Sequence, residues 1–300
     1  MHLGNSIICP VTGIPMLFLA GISIYYAVKK AKQENKKFSL IITLTALVFA
    51  LQMINFSIPN TGSSGHIIGA VLLSAILGPC CAFLAISAIL IVQAVFFADG
   101  GLLALGCNIF NMGFISCFIV YPLLYKPLAD KNKIITASVL SSIIALQLGS
   151  LAVAVESFLS GTTSGNIFYF ISLMQAIHLP IGIIEGIFTA IMISLVKKHE
   201  NSEKLPVILS AASLVTAGFI AQYASSKPDG LEWSLINLSE SFMAQTNGII
   251  YSTSESIQNH ISILTDINPL SANICGLLIV SILMFIFLKM FIYNSVKSNE

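Results

Sequence analysis

Residues 38–98 read FSLIITLTALVFALQMINFSIPNTGSSGHIIGAVLLSAILGPCCAFLAISAILIVQAVFFA and contain no Asp, Glu, Lys or Arg. A helix needs about 20 apolar residues to cross the hydrocarbon core of a bilayer, so this stretch alone has room for more than one crossing. Outside it, further uncharged runs cover 1–28, 100–125, 134–155, 157–184, 205–226 and 267–288. The sequence therefore predicts an all-α fold, a polytopic bundle of membrane helices.

The composition of the 300 residues also indicates a membrane protein. The chain is 56% hydrophobic and 9% charged, with a mean hydropathy of +0.91, whereas soluble domains carry about a quarter charged residues. A net charge of +1 without a basic patch argues against nucleic-acid binding. The sequence has no Gly-x-x-x-x-Gly-Lys-Ser/Thr motif, so we do not expect it to hydrolyse ATP by itself. The six Cys lack a Cys-x-x-Cys spacing, which favours packing over a thiolate metal site.

The 14 basic residues give an orientation, because all are Lys and nearly all fall in clusters. Only Lys227 stands apart from the clusters at 29–37, 126–133, 197–204 and 289–297. Cytoplasmic loops carry an excess of basic residues, so these loops are expected in the cytoplasm. We therefore predict a multi-pass protein of the cell (inner or plasma) membrane, in contact with lipid, with an extracytoplasmic amino terminus.

This alternation predicts nine helices, near 12–28, 38–56, 66–78, 80–98, 106–125, 134–156, 168–196, 206–223 and 272–294. The third is too short to cross unless it stops inside the protein, before Gly78-Pro79. We expect a seven-helix core over 1–200 and a two-helix carboxy-terminal appendage over 201–300. The outward loop at 224–271 is expected to hold one short helix over 231–243, with Asp229 as its N-cap.

The amino terminus, Met1-His2-Leu3-Gly4-Asn5, offers nitrogen ligands. A free α-amine loses its proton close to neutral pH. Together with the His2 amide nitrogen and imidazole it can form fused chelate rings around one ion. Three nitrogens in a plane suit Ni(II) and Cu(II) and are open to Co(II). The alternative is that His2 lies in a frayed tail without a role.

His66 offers a fourth nitrogen on the same predicted side of the membrane. It follows the Gly/Ser-rich loop 62–65, and we expect it at the start of the third helix. Ser64, Asp99 and Asn108 are candidates for residues that surround such a site, with Asn108 orienting a metal-bound His. The alternatives are a solvated helix-capping His66, an Asn108 that joins helices, and an Asp99 in water.

His178 and Glu185 lie seven residues apart on one predicted helix. Ionisable residues at membrane depth are functional candidates, so the pair suggests a proton-coupled carrier, a membrane enzyme or an internal metal site. The alternative is a buried pair that joins helices, packed through Gly182 and Gly186.

Together these segments resemble a family. Met1-His2, Gly62-Ser63-Ser64-Gly65-His66, Ala98-Asp99-Gly100-Gly101 and 104–113 look like the cobalt/nickel substrate-binding subunit of energy-coupling factor transporters, the CbiM/NikM family. The resemblance covers residues 1–200. It implies a divalent ion held by the Met1 amine, the backbone and ring nitrogens of His2, and His66. Many members carry Ile-Pro-Asp-Gly after the first His, and this chain has Leu3-Gly4-Asn5 instead.

The resemblance also implies partners. It implies a transmembrane coupling (T) protein and two ATP-binding cassette ATPases, so this chain would be a transport subunit and not an enzyme, with no cofactor. Its opening residues look closer to the cobalt branch, which favours Co2+ over Ni2+. The segment 228–232, Pro-Asp-Gly-Leu-Glu, resembles the motif of a small accessory domain of these transporters. Capture is expected to weaken below about pH 6.5, because protons compete for amine and imidazole ligands.

Overall fold

The fold is a bundle of helices, as predicted. The computed structural model describes residues 1–163, 166–199, 201–238 and 248–293. Its helices are α1 Pro10–Ala31, α2 Phe38–Gln52, α3 Ala70–Leu77, α4 Pro79–Phe96, α5 Leu105–Ala129, α6 Ile134–Leu159, α7 Ile167–Lys198, α8 Leu205–Gly218, α9 Gly230–Leu238, α10 Ile249–Ile261 and α11 Pro269–Phe287. The central part of α5, Ile109–Tyr125, is π-helical, and a second π-helical stretch, Leu288–Tyr293, follows α11. Two short strands, β1 Phe56–Ser57 and β2 Ser64–Gly65, pair antiparallel.

Within the described residues, seven helices are long and apolar enough to cross a membrane. They are α1, α4, α5, α6, α7, α8 and α11, where α1 and α8 are counted with the short 3₁₀ turns that follow them. The apolar α2 is shorter, with 15 residues. The predicted class of fold is therefore confirmed, with two departures from the nine predicted helices that concern α3 and the loop after α8.

Glycines let α6 and α7 pack closely. A Cβ atom on Gly182 would lie 2.9 Å from the Cα of Ile143, and one on Gly186 would overlap the backbone of Val139. Small residues at such contacts allow helix backbones to approach in a membrane. Close packing through Gly182 and Gly186, given by the sequence as an alternative, is present in the structure.

The third apolar segment is half extended and half helical, and here the prediction was wrong. His66 does not begin a helix, because α3 begins only at Ala70, after Gly69 with a φ of +76°. An eight-residue helix rises only about 12 Å. The extended residues before it keep their polar backbone satisfied, since Ile68 N–H and Gly69 N–H donate to the Glu185 carboxylate and the Ile68 carbonyl accepts from Gln52 Nε2. Non-helical backbone at membrane depth requires such internal partners.

The end of α3 is formed by Gly78, with a φ of +89°. Pro79 then begins α4, whose first free N–H groups, those of Cys80 and Cys81, donate to the Glu34 carboxylate at 2.8 and 2.7 Å. The predicted break before Gly78-Pro79 is confirmed. The segment thus runs from β2 at one end of the bundle to the Lys-rich loop of Glu34 at the other.

The carboxy-terminal helices pack on the core. Both α8 and α11 contact α2, and a side chain at Gly276 of α11 would overlap the rings of Phe49 and Phe97. The loop between them contains two helices where one was predicted. Asp229 caps α9 as expected, and residues 239–243 of the predicted helix lie outside the described residues, as does residue 294 at the end of the predicted last helix.

The helix α10 was missed, because its sequence is mostly polar. Its buried residues, Tyr251 and Gln258, lie seven positions apart and so on one face. Gln258 Nε2 donates to the carbonyls of Ala94 and Gly100, and its Oε1 accepts from Asn5. Hydrogen bonds from polar side chains to the core therefore position this helix, and the pattern of apolar residues in the sequence does not predict it.

Candidate metal centre

The amino-terminal segment is threaded into the bundle. Leu3 is fully buried, and Asn108 holds its backbone from both sides, accepting from Leu3 N–H at 2.8 Å and donating to the Leu3 carbonyl at 3.1 Å. Gly101 N–H also donates to that carbonyl, and a side chain at Gly101 would overlap Asn5. The glycine turn at 100–101 is thus needed for the terminal segment to lie here.

His2 and His66 lie face to face. Their rings are stacked, with centroids 5.2 Å apart and an angle of 18° between the planes. His2 Nδ1 lies 3.4 Å from Asp99 Oδ1, and His2 Nε2 is buried with no hydrogen-bond partner among the described residues. Burial, reinforced by the positive terminal amine, lowers the pKa of His2 to about 3. Burial, with His2 and the amine beside it, lowers the pKa of His66 to about 3. Both rings are therefore neutral and can serve as metal ligands.

The terminal amine of Met1 forms an ion pair with Asp229, at 2.9 Å to Oδ2. The other oxygen of Asp229 accepts from Glu232 N–H at 2.8 Å, and the Asp229 N–H donates to Glu232 in return. This reciprocal cap fixes the carboxylate at the start of α9. Burial opposes ionisation, but the amine and these hydrogen bonds outweigh it and lower the pKa of Asp229. Asp229 is thus an anion that holds the amine in place.

The segment 227–232, called the cap segment below, lines the same cleft as His2 and His66. Ser64 Oγ donates to the Lys227 carbonyl at 2.8 Å, and Ser64 N–H donates to the Pro228 carbonyl at 2.8 Å. A Cβ atom on Gly230 would lie 2.9 Å from Cε1 of His178. The cap segment therefore joins β2, α7 and the amino terminus in one place.

A cleft of about 520 Å³ opens beside these groups, lined among others by His2, His66, Asp99, Asp229 and Glu232. Within the described residues, no three His, Cys, Asp or Glu side chains are already arranged as a metal cluster. The predicted ligand set differs from such a cluster, because two of its four nitrogens are the amine of Met1 and the backbone nitrogen of His2. The sequence-based ligand set therefore stays a prediction.

The structure brings the predicted ligands Met1, His2 and His66 to one end of the bundle, together with Asp99. Asn108 and Ser64 lie beside them but bond to backbone rather than to a His ring. Asp229 was considered only as a helix cap, although it contacts Met1 directly. The single sequence signal that could have suggested this contact is the motif 228–232.

His178 and Glu185 do not act on each other in this arrangement. Glu185 accepts from the N–H groups of Ile68 and Gly69, at 2.9 and 3.0 Å. His178 Nδ1 lies 2.7 Å from the Met174 carbonyl. Each group therefore has a backbone partner of its own.

Comparison with known proteins identifies the family. Residues 2–203 match the CbiM family model, described as a cobalt uptake substrate-specific transmembrane region. The chain belongs to the CbiM family. Residues 203–292 match a second family model, that of the PDGLE domain. This matched range contains the cap segment.

Several relatives of this CbiM family member carry transport names. A putative metal transport protein of Methanocaldococcus jannaschii is 35% identical over 52% of this chain and 68% of its own length. A putative fused nickel transport protein NikMN of Archaeoglobus fulgidus is 32% identical over 53% of each chain. The cobalt transport protein CbiM of Clostridium tetani is 26% identical over 68% of this chain and 87% of its own. A crystal structure of a truncated transition metal transporter matches with a TM-score of 0.59 and 28% identity, over 66% of this chain and 99% of that one. The chain is thus a multi-pass membrane protein of a cobalt and nickel transport family.

Proposed function

We propose that the chain captures a divalent transition-metal ion, Co2+ in preference to Ni2+, at its extracytoplasmic end and carries it inward as the substrate-specificity subunit of an ATP-driven energy-coupling factor importer. The observation that carries the proposal is the convergence of the Met1 amine, His2 and His66 at one end of the bundle. Borderline nitrogen donors of this kind suit Co(II) and Ni(II).

The charges around the ligands support metal capture. The Met1 amine is paired with Asp229, and His2 Nδ1 faces Asp99. A bound metal ion replaces one proton of the ammonium group and the proton of the His2 backbone nitrogen, so two protons leave as its two positive charges arrive, and both carboxylates stay beside it. Such balance matters because an uncompensated charge in a buried site is costly. The site is thus suited to a doubly charged cation and not to an anion.

The direction of transport rests on the Lys residues. The helix α1 begins next to the candidate site, and Lys29 and Lys30 lie in its last turn. The helix α7 likewise ends with Lys197 and Lys198 in its last turn. Because basic residues mark the cytoplasmic ends of membrane helices, the site end is assigned to the outer face, with the amino terminus extracytoplasmic.

We divide the chain into a metal-binding core over 1–200 and an accessory domain over 201–300. The matches of the two family models support this division. The chain has no ATP-binding motif of its own, so energy for release is assigned to a transmembrane coupling (T) protein and two ATP-binding cassette ATPases. In this arrangement the accessory domain contributes the cap segment to the site of the core.

Metal analysis of the purified full chain tests the proposal. Wild type, His2→Ala and His66→Ala are each equilibrated with Co2+ and Ni2+ in competition and then freed of unbound metal. We expect about one ion per wild-type chain, with Co2+ in excess, and much less metal in both variants. His199→Ala, altered in the Lys-rich linker, is the control and should bind as wild type does. Equal metal content in all four proteins would overturn the assignment of the site.

The second candidate function is a proton-coupled carrier or membrane enzyme that uses His178 and Glu185. The hydrogen bonds of Glu185 to the backbone of 68–69 give that carboxylate a structural task instead. A Glu185→Gln variant separates the two functions. The proposed importer keeps its uptake in this variant, while a carrier that moves a proton through Glu185 loses it.

A further inference from the structure

A second, smaller cavity lies beside the candidate site. Its volume is about 10 Å³, and its walls include Met1, His66, His178, Asp229 and Gly230. A space of this size holds about one water molecule or one ion. Residues that carry two imidazoles and a carboxylate thus border, together with Met1, a space that fits a single small cation.

The hydrogen bond of His178 sets its ring as a ligand. Its Nδ1 lies 2.7 Å from the Met174 carbonyl. A carbonyl can only accept a hydrogen bond, so Nδ1 carries the hydrogen and Nε2 keeps its lone pair. Metal-binding His residues are commonly held in this way, with the other ring nitrogen donating to a backbone carbonyl.

The free nitrogen of His178 points toward the cap segment. A Cβ atom on Gly230 would lie 3.2 Å from His178 Nε2, so only a glycine leaves room beside this edge of the ring. His178 itself is buried, with 2% of its surface exposed. The lone pair therefore faces the cavity and not lipid or open water.

His178 lies beside the proposed capture site and not in a separate layer. It is 11 residues beyond the first residue of α7, which corresponds to about 16 Å of helix, and it borders the same cavity as Met1 and His66. Glu185 lies two turns further but is engaged by the backbone of 68–69. An ion that leaves the capture site past His66 therefore meets the imidazole of His178.

We propose that His178 is a metal ligand of a second position beside the capture site, which receives the ion from the capture site during transport. His66 and His178 supply imidazole nitrogens there, and Asp229 supplies a carboxylate oxygen. No side-chain cluster of three is preformed among the described residues, so this position forms only when Asp229 separates from the Met1 amine. Imidazole and carboxylate together suit a divalent transition-metal ion. The inference rests on the proposed function, because it concerns the same ion on its way inward.

Cysteine substitution tests whether a metal ion reaches this position. The complete transporter with His178→Cys in this chain is purified, loaded with Co2+ and supplied with ATP, and its absorption spectrum is compared with that of the wild-type transporter. A thiolate bound to Co2+ gives a charge-transfer band in the near ultraviolet, which nitrogen ligands do not give. We expect this band in His178→Cys only. The control is Met174→Cys, one turn away on the same helix, and it should show no band.

Uptake by a second variant tests the role in transport. In His178→Gln an amide can still donate to the Met174 carbonyl, so the fold is kept while the imidazole is lost. Expressed with the complete transporter, this variant should bind one Co2+ per chain but take up Co2+ at least about tenfold more slowly than wild type. Wild-type uptake by His178→Gln, or no band in His178→Cys, overturns the inference. Failure of the capture site is distinct, since it shows as unchanged metal content in His2→Ala.

Discussion

Two groups of buried ionisable residues lie close together in this molecule, and they differ in their partners. In the amino-terminal group, Met1 and His2 are paired with the carboxylates of Asp229 and Asp99. In the group on α7, His178 and Glu185 are bonded to backbone atoms instead. A charged amine beside a carboxylate can exchange its proton for a metal ion, whereas a carboxylate that satisfies backbone N–H groups cannot leave without a loss of stability. The comparison therefore assigns capture to the first group and support to Glu185.

The largest effect is expected from moving the terminal amine. Two residues placed ahead of Met1 turn its amine into an amide and displace the new terminus from the site. Loss of residues around a metal ligand costs 10–100-fold in affinity, so loss of a ligand should cost more than about 100-fold. Equilibrium dialysis with Co2+ measures this. The same two residues added after Glu300 serve as the control, and unchanged affinity in the amino-terminal extension would remove Met1 from the ligand set.

The next-largest effect is expected from replacing Glu185, which satisfies backbone N–H groups. Glu185→Ala leaves the buried N–H groups of Ile68 and Gly69 without an acceptor. Each unsatisfied group costs about 1–3 kcal/mol, so we expect the loss of both acceptors to lower the free energy of unfolding by about 2–6 kcal/mol. Glu185→Gln keeps one acceptor and should lose less. Thermal unfolding in detergent should give the highest melting temperature for wild type, a lower one for Glu185→Gln and the lowest for Glu185→Ala. An Ala variant as stable as wild type would contradict the structural role.

Much of this arrangement could be predicted from the sequence, because long uncharged runs define helices and Lys clusters define their ends. The residue at which α3 begins could not be predicted from the sequence. Nothing local shows that Gly69 adopts a left-handed conformation or that Glu185, far along the chain, will satisfy the backbone of Ile68. The pairing of Met1 with Asp229 was missed for a similar reason, since the cap of α9 explained Asp229 locally. Contacts between distant segments decide both features.

A substitution at Asp229 tests the charge beside the Met1 amine separately from the fold of the cap segment. Asp229→Asn removes the charge beside the Met1 amine but keeps an oxygen that can cap α9. We expect Co2+ affinity to fall about 10–100-fold, the range found for groups that surround metal ligands. Glu232→Gln is the matched control, because it alters the same reciprocal cap without touching Met1. Equal affinities in the two variants would mean that the cap segment acts through its fold and not through the charge of Asp229.

The smallest effect is a pH dependence of stability in the metal-free protein. Burial lowers the pKa of both His2 and His66 to about 3 in the folded chain, against about 6.5 in an unfolded one. Between these values the unfolded chain binds more protons, so stability should fall as the pH falls below about 6.5. The predicted weakening of metal capture below about pH 6.5 is a separate property and stays a prediction.

This pH dependence separates the two His residues of the capture site from the rest of the chain. Melting temperatures measured in detergent from pH 7 to pH 5 should decrease in wild type, and the decrease should be smaller in His66→Gln, because Gln does not take up a proton. His260→Gln, altered in α10, is the control and should follow wild type. Equal slopes of melting temperature against pH in wild type and His66→Gln would show that burial does not hold His66 neutral. The buried, stacked geometry with His2 would then not explain why His66 can bind a metal ion.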